Sequence, residues 1–376
     1  MFLSIIQKGK GNMKRAIFLL HVVLIFFLAA CWDQNLLKDT QLVYTAGYDQ
    51  TEEGDIQATT LAPPVEEGGV ENEVTVTGHS MLDTMYEMDL RIAEYANFSK
   101  LQTVLIGESL AADSVYPFLD ELYRNPDSNL HARLALVALP AVDLLSSEIE
   151  TQKNKSEYFK GILESSELTS VIPYMSLQEA CTIIFSPERD LYLPYITYDE
   201  KTKRAKIAGL ALFHQKKFTE EYLNTEESVI FNILNNDIEE VARITRRVHE
   251  DRNPEVENWI TIEVKDAKSN LKVNRQLSKL RAEVTLEIVV LEYGQNKITN
   301  KKEEELTNIL SDLLAEDIRR VLKKLQSSKS DALGLGSQVA SFNAERWDEA
   351  TWSETYQQLD QEVDVDIKLI STGIIE

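Results

Sequence analysis

Cysteine, histidine and basic residues are scarce in this 376-residue chain, and each shortage argues against a class of protein. Two cysteines cannot build a disulfide framework or a four-thiolate zinc site. The five histidines lack the HxH or HExxH spacing of zinc enzymes. The 39 Lys and Arg residues are outnumbered by 62 Asp and Glu, and the resulting net charge of −23 argues against a protein that coats nucleic acid.

Long apolar runs are also missing, although 43% of the residues are hydrophobic. That fraction is too high for a disordered chain, and the negative mean hydropathy of −0.25 does not fit a polytopic membrane protein. The length exceeds one typical domain and predicts two or three, each able to bury a core. Residues 1–30 carry a charge of +4 and no acid, which leaves −27 for the remainder.

The N-terminus has the features of a bacterial lipoprotein export signal. Lys14 and Arg15 precede an apolar run from Ala16 to Leu28, which is too short to span a bilayer and suits the core of a signal peptide. The run ends in LAAC, and small residues before Cys31 match a lipobox. We predict that residues 1–30 are a signal peptide and that Cys31 receives S-diacylglycerol and an N-linked acyl chain, which attach it to the bilayer.

Two other interpretations of this segment remain open: an ordinary signal peptide with a chance cysteine at its end, or an uncleaved anchor. Met13 is the more natural start, because MKR opens a signal of standard length. Since a mature chain of −27 is repelled by anionic lipid, the attached lipid would have to provide the anchoring.

Strand and helix patterns alternate in the N-terminal region, residues 31–200. Residues 82–98 predict one helix, residues 141–170 a helix followed by a loop, and residues 171–199 irregular structure. Further predicted strands cover 42–48, 56–61, 74–77, 101–106 and 134–139, with a second helix at 115–122. This order predicts a sheet with helices packed on it.

The boundary of the C-terminal region, residues 201–376, falls within the charged segment DEKTKR, which precedes a new predicted strand. Residues 282–293 alternate as a half-buried strand. The strongest helix begins at Asn300, with acids in its first turn, basic residues in its last turn and an apolar stripe between them. Other predicted strands cover 205–214, 259–264, 271–273 and 363–369, with a helix at 225–235. The predicted fold class is α+β, with several domains and antiparallel or mixed sheets.

Residues that could carry chemistry are isolated. Cys181 lies in an apolar stretch and is predicted to be an inert buried thiol. Gly334 and Gly336 in LGLGS lack the lysine and preceding strand of a phosphate loop, so they predict a turn after the long helix. Strand alternation places Asp364 and Asp366 on a solvent-facing side, where a cation site is not expected.

Four aromatic residues near the C-terminus could in principle form a ligand platform. They are Phe342, Trp347, Trp352 and Tyr356. Helical spacing favours a core or an interface for them. We therefore predict no catalytic residue, no metal site and no cofactor.

A series of short motifs follows the lipobox in a defined order. They are CWD at 31–33, LVYTAGYDQ at 42–50, LIGESLA at 105–111, GLALF at 209–213, DALGLG at 331–336, Trp347 and VDVDIKLISTG at 363–373. In this order they resemble the Ger(x)C family, the lipoprotein C subunits of bacterial spore germinant receptors. The positions matching family motifs are Cys31, Trp32, Asp33, Gly47, Gly107, Glu108, Gly209, Asp331, Gly334, Gly336, Trp347 and Gly373.

The resemblance implies a fold of three α+β domains and a non-enzymatic role in spore germination. It implies a lipid-anchored position on the outer face of the spore inner membrane. It also implies two partners, an A subunit with a soluble domain and a membrane region and a polytopic B subunit similar to amino-acid transporters. The receptor complex of the family responds to nutrients.

The chain departs from the family pattern where basic residues are expected. Gln34 and Asn35 replace an Arg-Glu pair, Ile370 and Ser371 replace an Arg-Arg pair, and only Arg346 is basic in the segment before Trp347. Partner contacts through those basic residues are therefore not expected here.

Two further functional hypotheses remain open. A lipoprotein that delivers a solute to a permease would show βαβ alternation throughout, which the antiparallel-looking stretch 259–293 argues against. A cell-wall enzyme would need an acid pair or a metal site in a cleft, and the sequence does not indicate one.

Overall fold

An eight-stranded and a four-stranded sheet organise the protein. The structure is a computed structural model, and it describes residues 40–64, 69–151, 154–294 and 300–371. The strands are β1 (Thr40–Leu42), β2 (Thr45–Gln50), β3 (Ile56–Ala62), β4 (Asn72–Gly78), β5 (Tyr95–Asn97), β6 (Thr103–Gly107), β7 (Arg133–Val137), β8 (Tyr192–Asp199), β9 (Arg204–His214), β10 (Lys217–Asn224), β11 (Ala242–Arg247), β12 (Trp259–Val273), β13 (Lys279–Tyr293) and β14 (Asp360–Ser371).

Helices connect these strands and cover the sheets. They are α1 (Met81–Asp89), α2 (Glu108–Asp113), α3 (Tyr116–Arg124), α4 (Ala141–Ser146), α5 (Lys155–Leu168), α6 (Leu177–Ile184), α7 (Thr225–Leu234), α8 (Asn300–Ser327), α9 (Leu335–Phe342) and α10 (Glu349–Gln357). Two short 3-10 helices cover Glu255–Asn258 and Ala344–Arg346.

The eight-stranded sheet has a parallel centre and antiparallel flanks. Its order is β10-β9-β8-β7-β6-β2-β3-β4, and the pairs among β2, β6, β7 and β8 are parallel. All five residues of β6 are buried, as expected for a central parallel strand covered on both faces. Predicted strands in the first half are confirmed to within a few residues at each end.

Three predictions about the first half are wrong in detail. The helix predicted over 82–98 ends at Asp89, because the Asp89 carboxylate accepts a hydrogen bond from the Ala96 N–H (2.9 Å) and turns the chain into β5. Residues 141–170 form two helices, the second capped by Asn154. The segment predicted to be irregular contains α6, which starts at a capping box formed by Ser176 and Glu179, and β8.

The four-stranded sheet has the order β11-β12-β13-β14. The predicted alternation of β13 is confirmed, because Val284, Leu286, Ile288 and Val290 are buried. The two short strands predicted at 259–264 and 271–273 are one strand, β12. Strand β14 lies parallel to β13, so α8 belongs to the crossover between them. Most of the predicted apolar stripe of α8 is buried, and Ile309 and Leu313 are half-buried.

The α+β class with mixed sheets is confirmed. The eight-stranded sheet continues across residue 200, because β9 and β10 extend it beyond β8. From Leu42 onward the described residues form one compact unit. Within the described ranges, no helix has the length and apolar character needed to cross a membrane.

Candidate functional site

The DALGLG motif forms a buried turn between α8 and α9, and we call its surroundings the Asp331 junction. The carboxylate of Asp331 accepts hydrogen bonds from the backbone N–H of Leu335 (2.9 Å) and of Gly336 (2.6 Å) and from the indole Nε1–H of Trp352 (2.9 Å). Gly334 takes the left-handed conformation just before α9 (φ 69°), which favours glycine. The predicted turn after the long helix is confirmed.

Close packing explains the second glycine of the motif. A Cβ on Gly336 would lie 2.6 Å from the Glu188 carbonyl oxygen, 2.8 Å from the Trp352 Nε1 and 2.9 Å from the Trp347 Cη2. Only a residue without a side chain lets these groups approach α9. The centroids of the Trp347 and Trp352 rings lie 5.4 Å apart, and the centroids of the Trp352 and Tyr356 rings lie 6.0 Å apart.

The Asp331 junction ties elements on both sides of residue 200 together. Asp190, which follows α6, accepts hydrogen bonds from the backbone N–H of Asp331 (2.9 Å) and of Gln215 (3.0 Å), which lies between β9 and β10. Arg189 donates from Nε to the Ala332 carbonyl oxygen (3.0 Å). The motif turn therefore closes the fold over the edge of the large sheet.

Burial dominates the electrostatics of the junction. It raises the pKa of the Asp331 carboxyl to about 6, although the three hydrogen bonds oppose the rise, and the nearby Asp190 adds to it. Burial also raises the pKa of the Tyr356 hydroxyl, which donates to the Ser330 carbonyl oxygen (3.0 Å). A buried carboxylate that three donors saturate acts here as a structural acceptor.

A cavity of about 300 Å³ borders the Asp331 junction. Its wall includes Arg189, Asp190, His214, Lys216, Trp352 and Ser353. His214 lies 3.4 Å from Asp190 and 3.4 Å from Ser353, longer than well-formed hydrogen bonds. In the described part of the chain, no three His, Cys, Asp or Glu side chains converge as a metal site would require.

The motif residues Gly47 and Gly107 surround a second buried acid, Asp49. Its carboxylate accepts from the backbone N–H of Ala141 (2.8 Å) and of Val142 (2.9 Å) and so caps α4. A Cβ on Gly107 would lie 1.8 Å from the Asp49 Oδ1, and one on Gly47 would lie 2.9 Å from the Ala141 Cβ. Both glycines make room for this cap.

Glu108 and Gly209 also have structural partners. The Glu108 carboxylate accepts a hydrogen bond from the Tyr195 hydroxyl (2.5 Å), and burial, followed by this contact, raises the pKa of Tyr195. Gly209 has a φ of 140°, and a Cβ there would lie 1.8 Å from the Leu223 carbonyl oxygen. Gly209 thus permits the close pairing of β9 with β10.

Other sequence predictions have clear outcomes. Cys181 is buried as predicted, and burial raises the pKa of its thiol to about 12, so it is inert at neutral pH. Asp364 and Asp366 are exposed, as predicted. Trp352 and Tyr356 are buried, Trp347 is half-buried and Phe342 is exposed. Cys31, Trp32, Asp33 and Gly373 lie outside the described residues, as do the signal peptide and the departures at 34 and 35.

Sequence reasoning missed Asp49, which caps α4, and it missed Arg189 and Asp190, which lie at the Asp331 junction. The residue type of Asp49 was a partial signal, because Asp is a preferred helix cap, but the helix that it caps lies more than 90 positions away. Arg189 and Asp190 had none, since their partners in the DALGLG turn, Ala332 and Asp331, lie more than 140 positions away in the chain.

Comparisons with known proteins match this architecture. A family model described as the spore germination protein N-terminal domain matches residues 33–198, and one described as spore germination B3/GerAC-like, C-terminal, matches residues 208–373. The break between the two models falls near the predicted boundary at residue 200, where the sheet itself is continuous.

Full-length relatives share these two regions. The spore germination protein GerQC of Bacillus cereus is 23% identical over 97% of this chain and 100% of its own length. The YfkR protein of Bacillus subtilis (strain 168) is 21% identical over 96% of this chain and 98% of its own length. The crystal structure of the GerBC protein superposes with a TM-score of 0.56 at 16% identity, over 88% of this chain and 99% of that one, and so shares the fold.

The two family models cover most of the chain. The motif residues Asp331, Gly334 and Gly336 build the Asp331 junction, and Gly47 and Gly107 make room for the Asp49 cap. The family is one of germinant receptor subunits and is not a known enzyme family. This chain belongs to the Ger(x)C family of spore germination proteins.

Proposed function

We propose that this protein is the lipid-anchored C subunit of a nutrient germinant receptor and acts by contact with the A and B membrane subunits. Its place is the outer face of the spore inner membrane. Membership of the family supports a role in spore germination and suggests the A and B partners. The anchor rests on the sequence around Cys31, and action without catalysis rests on the structural use of the motif residues.

The observation that carries this proposal is the Asp331 junction. Its motif residues hold α9, α10 and the segment at 188–190 together. The Asp331 carboxylate at its centre already accepts three hydrogen bonds. In an enzyme or a metal protein, such residues would present reactive or coordinating atoms to a cleft. A motif that fixes the shape of the molecule favours a protein that works through its surface and without catalysis or a cofactor.

The anchor is proposed from the sequence around Cys31. An apolar run preceded by basic residues and closed by LAAC is the arrangement that directs lipidation. Two acyl chains from diacylglycerol provide the two hydrophobic signals that stable membrane attachment needs. Because the mature chain would carry a net charge of −27, anionic lipid would repel it, and the attached lipid would have to hold it at the membrane.

Replacing Cys31 with alanine is expected to abolish lipidation, because the only other cysteine is a buried thiol. The test is growth with labelled palmitate, followed by mass spectrometry of the N-terminal peptide. We expect label in the wild type and in the matched control Cys181→Ala, and none in Cys31→Ala. A wild-type protein without label, or one that retains residues 13–30, would contradict the proposed anchor.

A further inference from the structure

Helix α1 exposes an apolar face to solvent. Leu82 and Tyr86 lie on α1, and Leu90 follows it directly as the C-cap, with a helical backbone conformation. The three residues follow one another at intervals of four and are 60%, 61% and 61% exposed. Residues at this spacing lie on one side of a helix. The opposite side buries Met81 and Met88, each 2% exposed, against the sheet. The helix therefore has a core face and a second apolar face that the fold does not use.

This exposed face lies beside the place where the chain enters the compact unit. The Val43 N–H donates to the Asn97 carbonyl oxygen (2.9 Å), and the neighbouring Ala96 N–H donates to the Asp89 carboxylate (2.9 Å), one residue before Leu90. Tyr95, in the same strand β5, is 53% exposed. A continuous set of short contacts thus links the entry point at Val43 to the end of the exposed face.

The short length of chain between Cys31 and Leu42 limits how far the exposed face can lie from a membrane that holds Cys31. Leu42 is eleven positions after Cys31, so the intervening chain spans at most about 40 Å when fully extended. A surface at the entry point therefore stays within reach of any membrane that holds an acylated Cys31. The tether also makes binding of this face to the membrane an intramolecular event, which raises its effective concentration.

We propose that the exposed face of α1, formed by Leu82, Tyr86 and Leu90, rests on the surface of the lipid bilayer. The proposal deepens the proposed function and rests on its lipid anchor at Cys31. Leucine and tyrosine suit the boundary between head groups and acyl chains, because an apolar body enters the bilayer and a polar tip stays hydrated.

Charge favours an apolar contact over an electrostatic one. Asp83 and Glu87 lie along one flank of the face, and the protein as a whole is strongly acidic. Anionic lipid would repel such a surface, whereas zwitterionic lipid would not. The face should therefore insert more deeply into phosphatidylcholine vesicles than into vesicles that also contain phosphatidylglycerol. Added salt should reduce this difference in depth.

Spin labels on the lipidated full chain test this. Single cysteines are introduced as Leu82→Cys, Tyr86→Cys or Leu90→Cys in a Cys181→Ala background, and the protein is reconstituted into phosphatidylcholine vesicles. Phe342→Cys is the matched control, because Phe342 is 87% exposed but lies on α9. We expect the three α1 labels to collide more often with oxygen than with a water-soluble nickel complex, and the control label to show the reverse.

The outcomes separate this proposal from the anchor. Acylated protein on vesicles with all α1 labels in water would overturn the membrane contact and leave the anchor intact. Protein that is not acylated and does not bind vesicles would overturn both. Labels that leave water only when purified A and B subunits are added would assign the face to a protein partner and overturn its assignment to lipid.

Discussion

Replacing Asp331 with alanine is expected to lower the free energy of unfolding by about 3 to 5 kcal/mol. The change leaves three buried donors without an acceptor: the N–H groups of Leu335 and Gly336 and the indole of Trp352. Each unsatisfied buried donor costs about 1 to 3 kcal/mol, and the loss of the carboxylate also leaves a cavity. Few single substitutions have a larger effect.

Urea unfolding followed by tryptophan fluorescence measures the effect of Asp331→Ala, since Trp352 contacts the substituted side chain. Asp364→Ala is the matched control, because Asp364 is exposed on β14 and its loss should change stability by less than about 0.5 kcal/mol. Equal unfolding midpoints for the two variants would show that the Asp331 junction does not hold the fold together.

The same carboxyl gives the stability a pH dependence of known sign. Burial raises its pKa from an ordinary 3.8 to about 6, so the folded state binds more protons than the unfolded state between about pH 4 and pH 6. The pH-dependent part of the contribution of Asp331 to stability is thus greatest below about pH 4 and is lost as the pH rises to about 6, while the three hydrogen bonds to the carboxylate remain. Compared with Asp331→Asn, the wild type should lose up to about 1.4 kcal/mol per pH unit in this window.

Comparison with Asp331→Asn isolates this group, since the other carboxylates titrate alike in both proteins. A relative stability that rises between pH 4 and pH 6 would mean that the three hydrogen bonds outweigh burial and depress the pKa of Asp331.

The second large effect is expected at Gly209, where alanine should cost about 3 to 5 kcal/mol. A residue with a side chain is strained at a φ of 140°, which costs about 1 to 3 kcal/mol. The new Cβ would also lie 1.8 Å from the Leu223 carbonyl oxygen, so β9 and β10 would have to separate. Overpacking of this kind typically adds about 1 to 3 kcal/mol.

Gly161→Ala is the matched control for Gly209→Ala. Gly161 lies inside α5, and no atom stands within 4 Å of the position of its Cβ. Alanine there should raise stability by up to about 1 kcal/mol, because glycine weakens a helix interior. Thermal unfolding of both variants is the measurement. If Gly209→Ala melted at or above the wild-type temperature, the close approach of β10 would be wrong.

Local patterns predicted the regular elements well. The alternation in β13 and the charged, striped sequence of α8 each encode one exposed and one buried side, so a single segment contains the signal. The helix predicted over 82–98 was too long, because its end depends on a hydrogen bond from Ala96 to the Asp89 side chain. Periodicity does not contain information about such a contact.

The candidate site was only partly predictable for the same reason. The glycines of DALGLG indicated a turn, and the structure confirms it. The role of Asp331 depends on Trp352, and that of Gly107 depends on Asp49, which are 21 and 58 positions away. Contacts of this kind are set by the packing of several elements, and one sequence does not reveal which elements meet.

The most direct test of the central claim is purification of the tagged wild-type protein from spore inner membranes in a mild detergent. We expect two membrane subunits to co-purify with it, one of them polytopic and similar to an amino-acid transporter, and we expect Cys31→Ala to recover much less of both. A wild-type protein that purifies alone and binds a nutrient tightly would contradict the receptor-subunit assignment and favour a solute-binding lipoprotein.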